Sequence, residues 1–362
     1  MASSIPITQP TDASRRRALG RMGSLSALGA LGTTGLLAGC ETTGAGSGAG
    51  TGKPHRIDVH HHLVPPSYAE DLVKRGGPRP IRWSAAASIE DMDRSGIALS
   101  LTSLVQPAVW FGDVALGRRL ARESNEYAAK LAIDHPGRFG TFATLPLPDP
   151  EGSLKEIAYC LDVLKAEGFC LMTSYNGRYL GHSSFTPVLE ELDRRSAVVY
   201  THPLTADCCR NVVPGVPDSA IEYATDTTRT MASLLFSGAA ARFPNIRWIW
   251  SHSGGTAPFL LSRFQYQEQT MKDAKRVLPN GVMHELAKFH YDMAQGNHPG
   301  ALDALARIAP VSQYLYGTDF PFRFGGEVNK ALADYPFTPA QRMAIERGNA
   351  LRLIPSLKGK AS

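Results

Sequence analysis

From Arg56 onward the chain alternates short apolar runs of β-forming residues with longer stretches of helical periodicity, and it does so eight times. The runs are Arg56–His60, Ile97–Val105, Arg138–Thr144, Gly168–Thr173, Ala197–Thr201, Ile246–Ser251, Phe289–Met293 and Tyr314–Gly317. Helical patterns lie between them, among them Asp113–Asp134, Leu154–Glu167, Ser184–Arg195, Ala220–Ala241, Pro258–Thr270 and Pro299–Ile308. Parallel strands need such crossovers, and eight strand–helix units over about 300 residues make a closed (β/α)8 TIM barrel of the α/β class. A doubly wound open sheet is the rival, but it calls for a glycine-rich first strand-to-helix turn. Here that turn reads His61-His62-Leu63-Val64-Pro65-Pro66. The stretch Pro65–Ser88, rich in Pro, Gly and Arg, reads as an excursion over the barrel mouth.

Barrel chemistry sits at the C-terminal ends of the strands. The first run leads into His60-His61-His62, where alternation puts His60 and His62 on one face and His61 on the other. Run five leads into His202, run six into His252 and run eight into Asp319. Imidazole and carboxylate at these positions point to a catalytic divalent cation, Zn²⁺ by preference with Mn²⁺ as the alternative. Run four offers no Lys or Glu to bridge two metals, so one ion per chain is expected. His55 and His135 read as surface residues, whereas His182 and His298 fall in loops that can face the mouth. Trp110, Phe111, Tyr175 and Phe322 are candidates for an aromatic substrate wall or, equally, for ordinary packing. Arg229 reads as a helix-face residue, with a substrate or interface contact as the alternative.

The formal net charge of +5 is misleading. The first 40 residues hold Arg15, Arg16, Arg17 and Arg21 against Asp12 alone, which is +3 and leaves +2 for the remainder. That excludes an electrostatic case for nucleic acid or an anionic membrane. A small-molecule substrate is the expected partner.

Residues 1–40 read as an export signal. The paired arginines resemble a twin-arginine leader, and Leu37-Ala38-Gly39-Cys40 resembles a lipobox that would make Cys40 a lipidation site. A plainly cleaved signal is the alternative, as is a start at Met22 that would leave the protein cytoplasmic. Otherwise an exported, cell-envelope or periplasmic protein is expected, with the lipid as its only membrane contact. Residues 41–54 are a Gly/Ser-rich tether, 55–355 the barrel and 356–362 a tail. Within the barrel, Cys160 and Cys170 are open to a bridge or to remaining free thiols. Adjacent Cys208 and Cys209 stand in a loop just after His202.

Four blocks then carry a resemblance: Ile57–Pro65, Tyr200–Pro203, Ser251–Phe259 and Tyr316–Phe322. Together they resemble the amidohydrolase-related decarboxylases, which include aminocarboxymuconate-semialdehyde and γ-resorcylate decarboxylases. The stretches Arg138–Pro146 and Thr173–Gly181, with Trp110–Gly112 and Asp226–Arg229, look closest to the 6-methylsalicylate decarboxylase branch. The resemblance covers Arg56 to Pro355. It implies His60, His62, His202 and Asp319 as metal ligands, His252 as a catalytic neighbour, and a homodimer in which Arg263 reaches a substrate carboxylate across the interface. It departs at Gly76, seven residues before Trp83, where the aminocarboxymuconate enzymes carry an arginine. A dicarboxylate substrate is therefore not expected. The implied activity is metal-dependent, non-oxidative decarboxylation of a small hydroxyaromatic acid, with Asp319 delivering a proton and His252 orienting or recharging it. Hydrolysis of a lactone, ester or amide on the same barrel is the rival reading.

Overall fold

A computed structural model describes residues 53–75 and 83–360. The expected leader 1–40 with Cys40, nearly all of the 41–54 tether, Gly76 and the last two residues lie outside the described residues.

Eight parallel strands follow one another in chain order around the sheet: β1 (Arg56–Leu63), β2 (Ile97–Leu104), β3 (Phe139–Thr144), β4 (Gly168–Met172), β5 (Val198–His202), β6 (Arg247–Trp250), β7 (His290–Asp292) and β8 (Tyr314–Leu315). Three backbone hydrogen bonds join the last strand region to the first. Val59 donates to the Tyr316 carbonyl at 3.0 Å, Asp319 to His60 at 2.8 Å, and His62 to Phe320 at 2.8 Å. The fold is the expected (β/α)8 barrel, and its seam runs through three of the candidate metal-binding side chains. Strands such as Val198–His202 are buried along their whole length, which is why they read as continuous apolar runs rather than alternating ones.

The outer helices begin where their caps dictate. Asp113 accepts a hydrogen bond from the Leu116 N–H, and the helix Val114–Asp134 buries Leu116, Leu120, Ala121, Ala128 and Leu131 on one face. The next helix spans Pro150–Asp162, starting four residues before the expected Leu154. Asp149 caps it by accepting from the Gly152 N–H, and Pro150 fits the first turn, where no N–H is needed. The excursion after β1 is partly regular, with helices Pro66–Lys74 and Ala85–Ser95. Cys160 and Cys170 are buried free thiols, the first directed at Glu156 at 3.6 Å. No helix among the described residues is long and apolar enough to cross a membrane.

Candidate metal centre

The site is built from the mouth ends of β1, β5 and the segments following β6, β7 and β8. A register shift between Asp58 and His61 re-aims the side chains at the end of β1. His60 and His62 then point inward, with their Nε2 atoms 3.3 Å apart. Asp319 Oδ1 lies 3.1 Å from each of those nitrogens. His202 completes the group: one donor atom from each of His60, His62, His202 and Asp319 lies within 4.8 Å of the others, and all four side chains are buried. His61 faces away as alternation requires, held between Asp58 and Ser88 at 3.0 Å each and stacked on Phe320.

Several groups fix these donors. Asp292 Oδ2 accepts from His60 Nδ1 at 2.9 Å, leaving Nε2 directed at the centre. The Pro203 carbonyl accepts from His202 Nδ1 at 3.0 Å to the same effect. Asp58 takes the Thr318 N–H at 3.0 Å, the Thr318 hydroxyl at 2.7 Å and the His60 N–H at 3.0 Å, clamping the seam from below. Gly317 permits close packing at the seam: a β-carbon there would lie 2.9 Å from His60 Cβ and 3.0 Å from Asp292 Cβ.

Burial alone would drive the His60 imidazole toward neutrality, but the Asp292 and Asp319 carboxylates outweigh it and hold its pKa up at about 10. Burial pushes His62 and His202 down, so both are neutral, as metal ligation requires. Burial opposes ionisation of Asp319, yet His60, His252 and His62 hold it well below the usual carboxylate range. The ionised Asp319 carboxylate thus calls for a positive charge where it meets the imidazole nitrogens, a charge that the His60 proton supplies in the metal-free chain and a cation would supply in its place. That donor set and charge balance fit one divalent cation, with His60, His62, His202 and Asp319 as its ligands.

His252 stands beside this group: its Nε2 is 3.5 Å from Asp319 Oδ2, and its buried Nδ1 has no hydrogen-bond partner among the described residues. Gln295 Nε2 donates to the same Oδ2. His252, Gln295 and Asp319 all adopt left-handed backbone, with φ of 53°, 50° and 69°. Strained conformations of this kind cluster where side-chain aim matters more than backbone comfort.

A cavity of about 490 Å³ opens above His202, His252 and Asp319, walled by Gln106, Tyr223, Phe322 and Arg323 among others. Gln106 donates to the Tyr223 hydroxyl at 3.0 Å, and Phe322 packs edge-on to His62. The other expected substrate residues lie elsewhere. Trp110 and Tyr175 line a neighbouring cavity of about 430 Å³ with Cys208 and Arg210. Arg229 pairs with Glu222 at 3.4 Å and Asp226 at 3.7 Å on the helix Glu222–Ser237. Arg263 is exposed on the helix Leu261–Thr270, away from the cavity lining. His182 and His298 accept from backbone N–H groups at the starts of short helical segments.

Sequence reasoning missed Asp292, although it stands at the end of the seventh run, where a carboxylate is itself a signal. Gln106, Tyr223, Gln295 and Arg323 carry no such signal, since amides, phenols and arginines are common around a barrel mouth.

An amidohydrolase family model matches residues 57–355. The chain is similar to decarboxylase yanB of Aspergillus niger, 36% identical over 324 residues that cover 83% of this chain and 87% of that protein. It is 34% identical to the 6-methylsalicylic acid decarboxylase acuB of Aspergillus aculeatus over 324 residues, 84% of this chain and 97% of that one. A crystal structure of an amidohydrolase II protein superposes with a TM-score of 0.77 at 30% identity, covering 83% of this chain and 99% of that one.

Proposed function

The chain belongs to the amidohydrolase family, and from that premise we propose that it is a metal-dependent, non-oxidative decarboxylase of a small hydroxyaromatic carboxylic acid of the 6-methylsalicylate type. The observation that carries the reading is the buried His60, His62, His202 and Asp319 cluster, with His252 against the free oxygen of Asp319.

When bound, the cation supplies a Lewis acid that polarises a substrate oxygen. The residues of the chain supply the rest. Asp319 divides its work between two oxygens: Oδ1 faces His60 and His62, and Oδ2 faces His252 and Gln295. Because Asp319 is held ionised, its proton must come from a neighbour, and His252 is placed to provide it. Passing that proton through Oδ2 to the ring carbon bearing the carboxylate breaks aromaticity; loss of CO₂ then restores it. Phe322 and Tyr223 present aromatic surface to the ring, while Gln106, Gln295 and Arg323 offer hydrogen bonds to its oxygens. The test is a panel of salicylates and resorcylates assayed for CO₂ beside a panel of esters and lactones. CO₂ with the matching phenol is expected. Ester or lactone cleavage without CO₂ from any hydroxybenzoate would establish the hydrolase reading instead.

Three finer points belong to the same proposal. Zn²⁺ suits the three-imidazole, one-carboxylate set, with Mn²⁺ as its competitor in metal analysis of the purified protein. A homodimer carrying Arg263 toward its partner's cavity is supported by an exposed patch. Phe259 is 84% and Tyr266 67% exposed, and Arg263, between them in the sequence, is exposed as well. Export with acylation at Cys40 rests on Arg15 to Arg17 and Leu37 to Cys40, and the mass of the mature N-terminal peptide tests it.

A further inference from the structure

Two adjacent cysteines stand on the segment that leads from the metal ligand His202 to the helix Glu222–Ser237. Cys208 and Cys209 lie in a short 3-10 turn, Asp207–Cys209, with their sulfurs facing each other at 2.6 Å. Cys208 is exposed and Cys209 half-buried, so the pair is open to solvent. The other two thiols of the barrel are sequestered: burial raises Cys160, and it pushes Cys170 up to about 12.

The first half of the segment is tied at two points to that helix. At its base, buried Asp226 accepts from the Leu204 N–H at 3.4 Å, from the Tyr179 hydroxyl at 2.7 Å and from Thr173. At its tip, Arg229 donates to Cys209 Sγ at 3.5 Å while pairing with Glu222 and Asp226. One side of the segment lines the cavity of Trp110 and Tyr175, through Leu204, Asp207, Cys208 and Arg210. Its two ends line the metal cavity, through His202 at the start and Ala220, Tyr223 and Ala224 where it becomes helix. The cysteine pair therefore sits on the stretch of chain that runs between two points of the metal-cavity lining, with Cys208 itself lining the second cavity.

We propose that Cys208 and Cys209 form a site of reversible oxidation, a dithiol that closes to a vicinal disulfide and thereby alters access to the metal cavity. An Sγ–Sγ bond forms and two S–H bonds break. The two electrons and two protons pass to a peroxide, which becomes water or an alcohol and water, or to a small-molecule disulfide, which becomes two thiols. Ring closure between neighbouring residues is strained, which keeps the bond reducible. Closing the bond draws the Cys209 sulfur toward Cys208 and so bears on its contact with Arg229 at the tip, while the base keeps its Asp226 tie.

The full chain is treated with hydrogen peroxide or diamide, then with dithiothreitol, and its peptides are weighed. The peptide holding both cysteines should become lighter by two hydrogens and regain them on reduction, with Cys160 and Cys170 still alkylatable after unfolding. In the kinetic arm, which rests on the decarboxylase reading, KM should change several-fold and kcat should not. Cys208→Ser and Cys209→Ser should each abolish that response while keeping the activity of the reduced protein. The mass arm needs no substrate, so it stands or falls apart from the proposed activity. A peptide that keeps both hydrogens under excess oxidant, or gains oxygen atoms instead, overturns the site. A KM shift that persists in Cys208→Ser overturns its role in access.

Discussion

Asp292 touches His60 through Nδ1 only, yet it decides which nitrogen faces the centre and where the ring points. Partners of this kind set ligand orientation and basicity, and their loss typically costs about 10–100-fold in metal affinity. Asp292→Asn should weaken cation binding by about that factor, read by competition with a chromophoric chelator, without unfolding the barrel. His252 makes the complementary case. It lies 3.5 Å from Asp319 but outside the four-donor cluster. His252→Gln should keep its metal content and lose about 10²–10⁴-fold in kcat, the usual worth of a proton-transfer group. A variant that loses metal and activity together would instead make His252 a ligand. The histidines were legible from the sequence because imidazoles at strand ends are rare and alternation sorts them. Asp292 stood out less, although it ends a run, because the chain holds 33 acidic residues against 11 histidines and a single carboxylate is the weaker signal.

At the scale of elements, the runs read from sequence match β1 to β8 within a few residues, because fully buried parallel strands leave unbroken apolar stretches between capped helices. Helix starts were less legible: Asp149-Pro150 carried a cap and a first-turn proline, but apolar periodicity pointed to Leu154. Trp110 and Tyr175 show a deeper limit. Strand periodicity says that a loop reaches the mouth, not which of two neighbouring cavities its side chains enter. The β1–β8 seam offers an element-level test. Gly317 lies where a methyl group would press on both His60 and Asp292. Gly317→Ala should therefore destabilise the fold by about 1–3 kcal/mol, the range for overpacking, and weaken metal binding more than a surface Gly→Ala change of equal stability cost. Thermal melts beside metal titrations separate the two effects; a melt and a metal affinity both unchanged would show that the seam has slack.

For the whole molecule, the centre couples metal content to stability through a proton. In the metal-free chain, Asp292 and Asp319 outweigh burial and raise His60 from 6.5 to about 10. A proton held more tightly in the folded state stabilises it, fully below pH 6.5 and progressively less as pH rises through 10. His62 and His202 are shifted the other way by burial, so their contribution falls away on the acid side and leaves this window clear. The metal-free protein should thus melt at lower temperature as pH climbs from 6.5 toward 10, whereas the loaded protein should hold steady, the cation having taken the proton's place. Loading near neutral pH should release about one proton, visible as a buffer-dependent enthalpy in calorimetry. A metal-free melting temperature that stays flat across that window would mean His60 is neutral there.

The barrel, its seam and its cavity all converge on one cation and one aromatic acid. The most direct measurement titrates metal-free protein with Zn²⁺ or Mn²⁺ while following CO₂ released from 6-methylsalicylate and related hydroxybenzoates. CO₂ release should rise with added metal and level off at one ion per chain. Saturation at two ions per chain, or no CO₂ from any hydroxybenzoate at full loading, would contradict it.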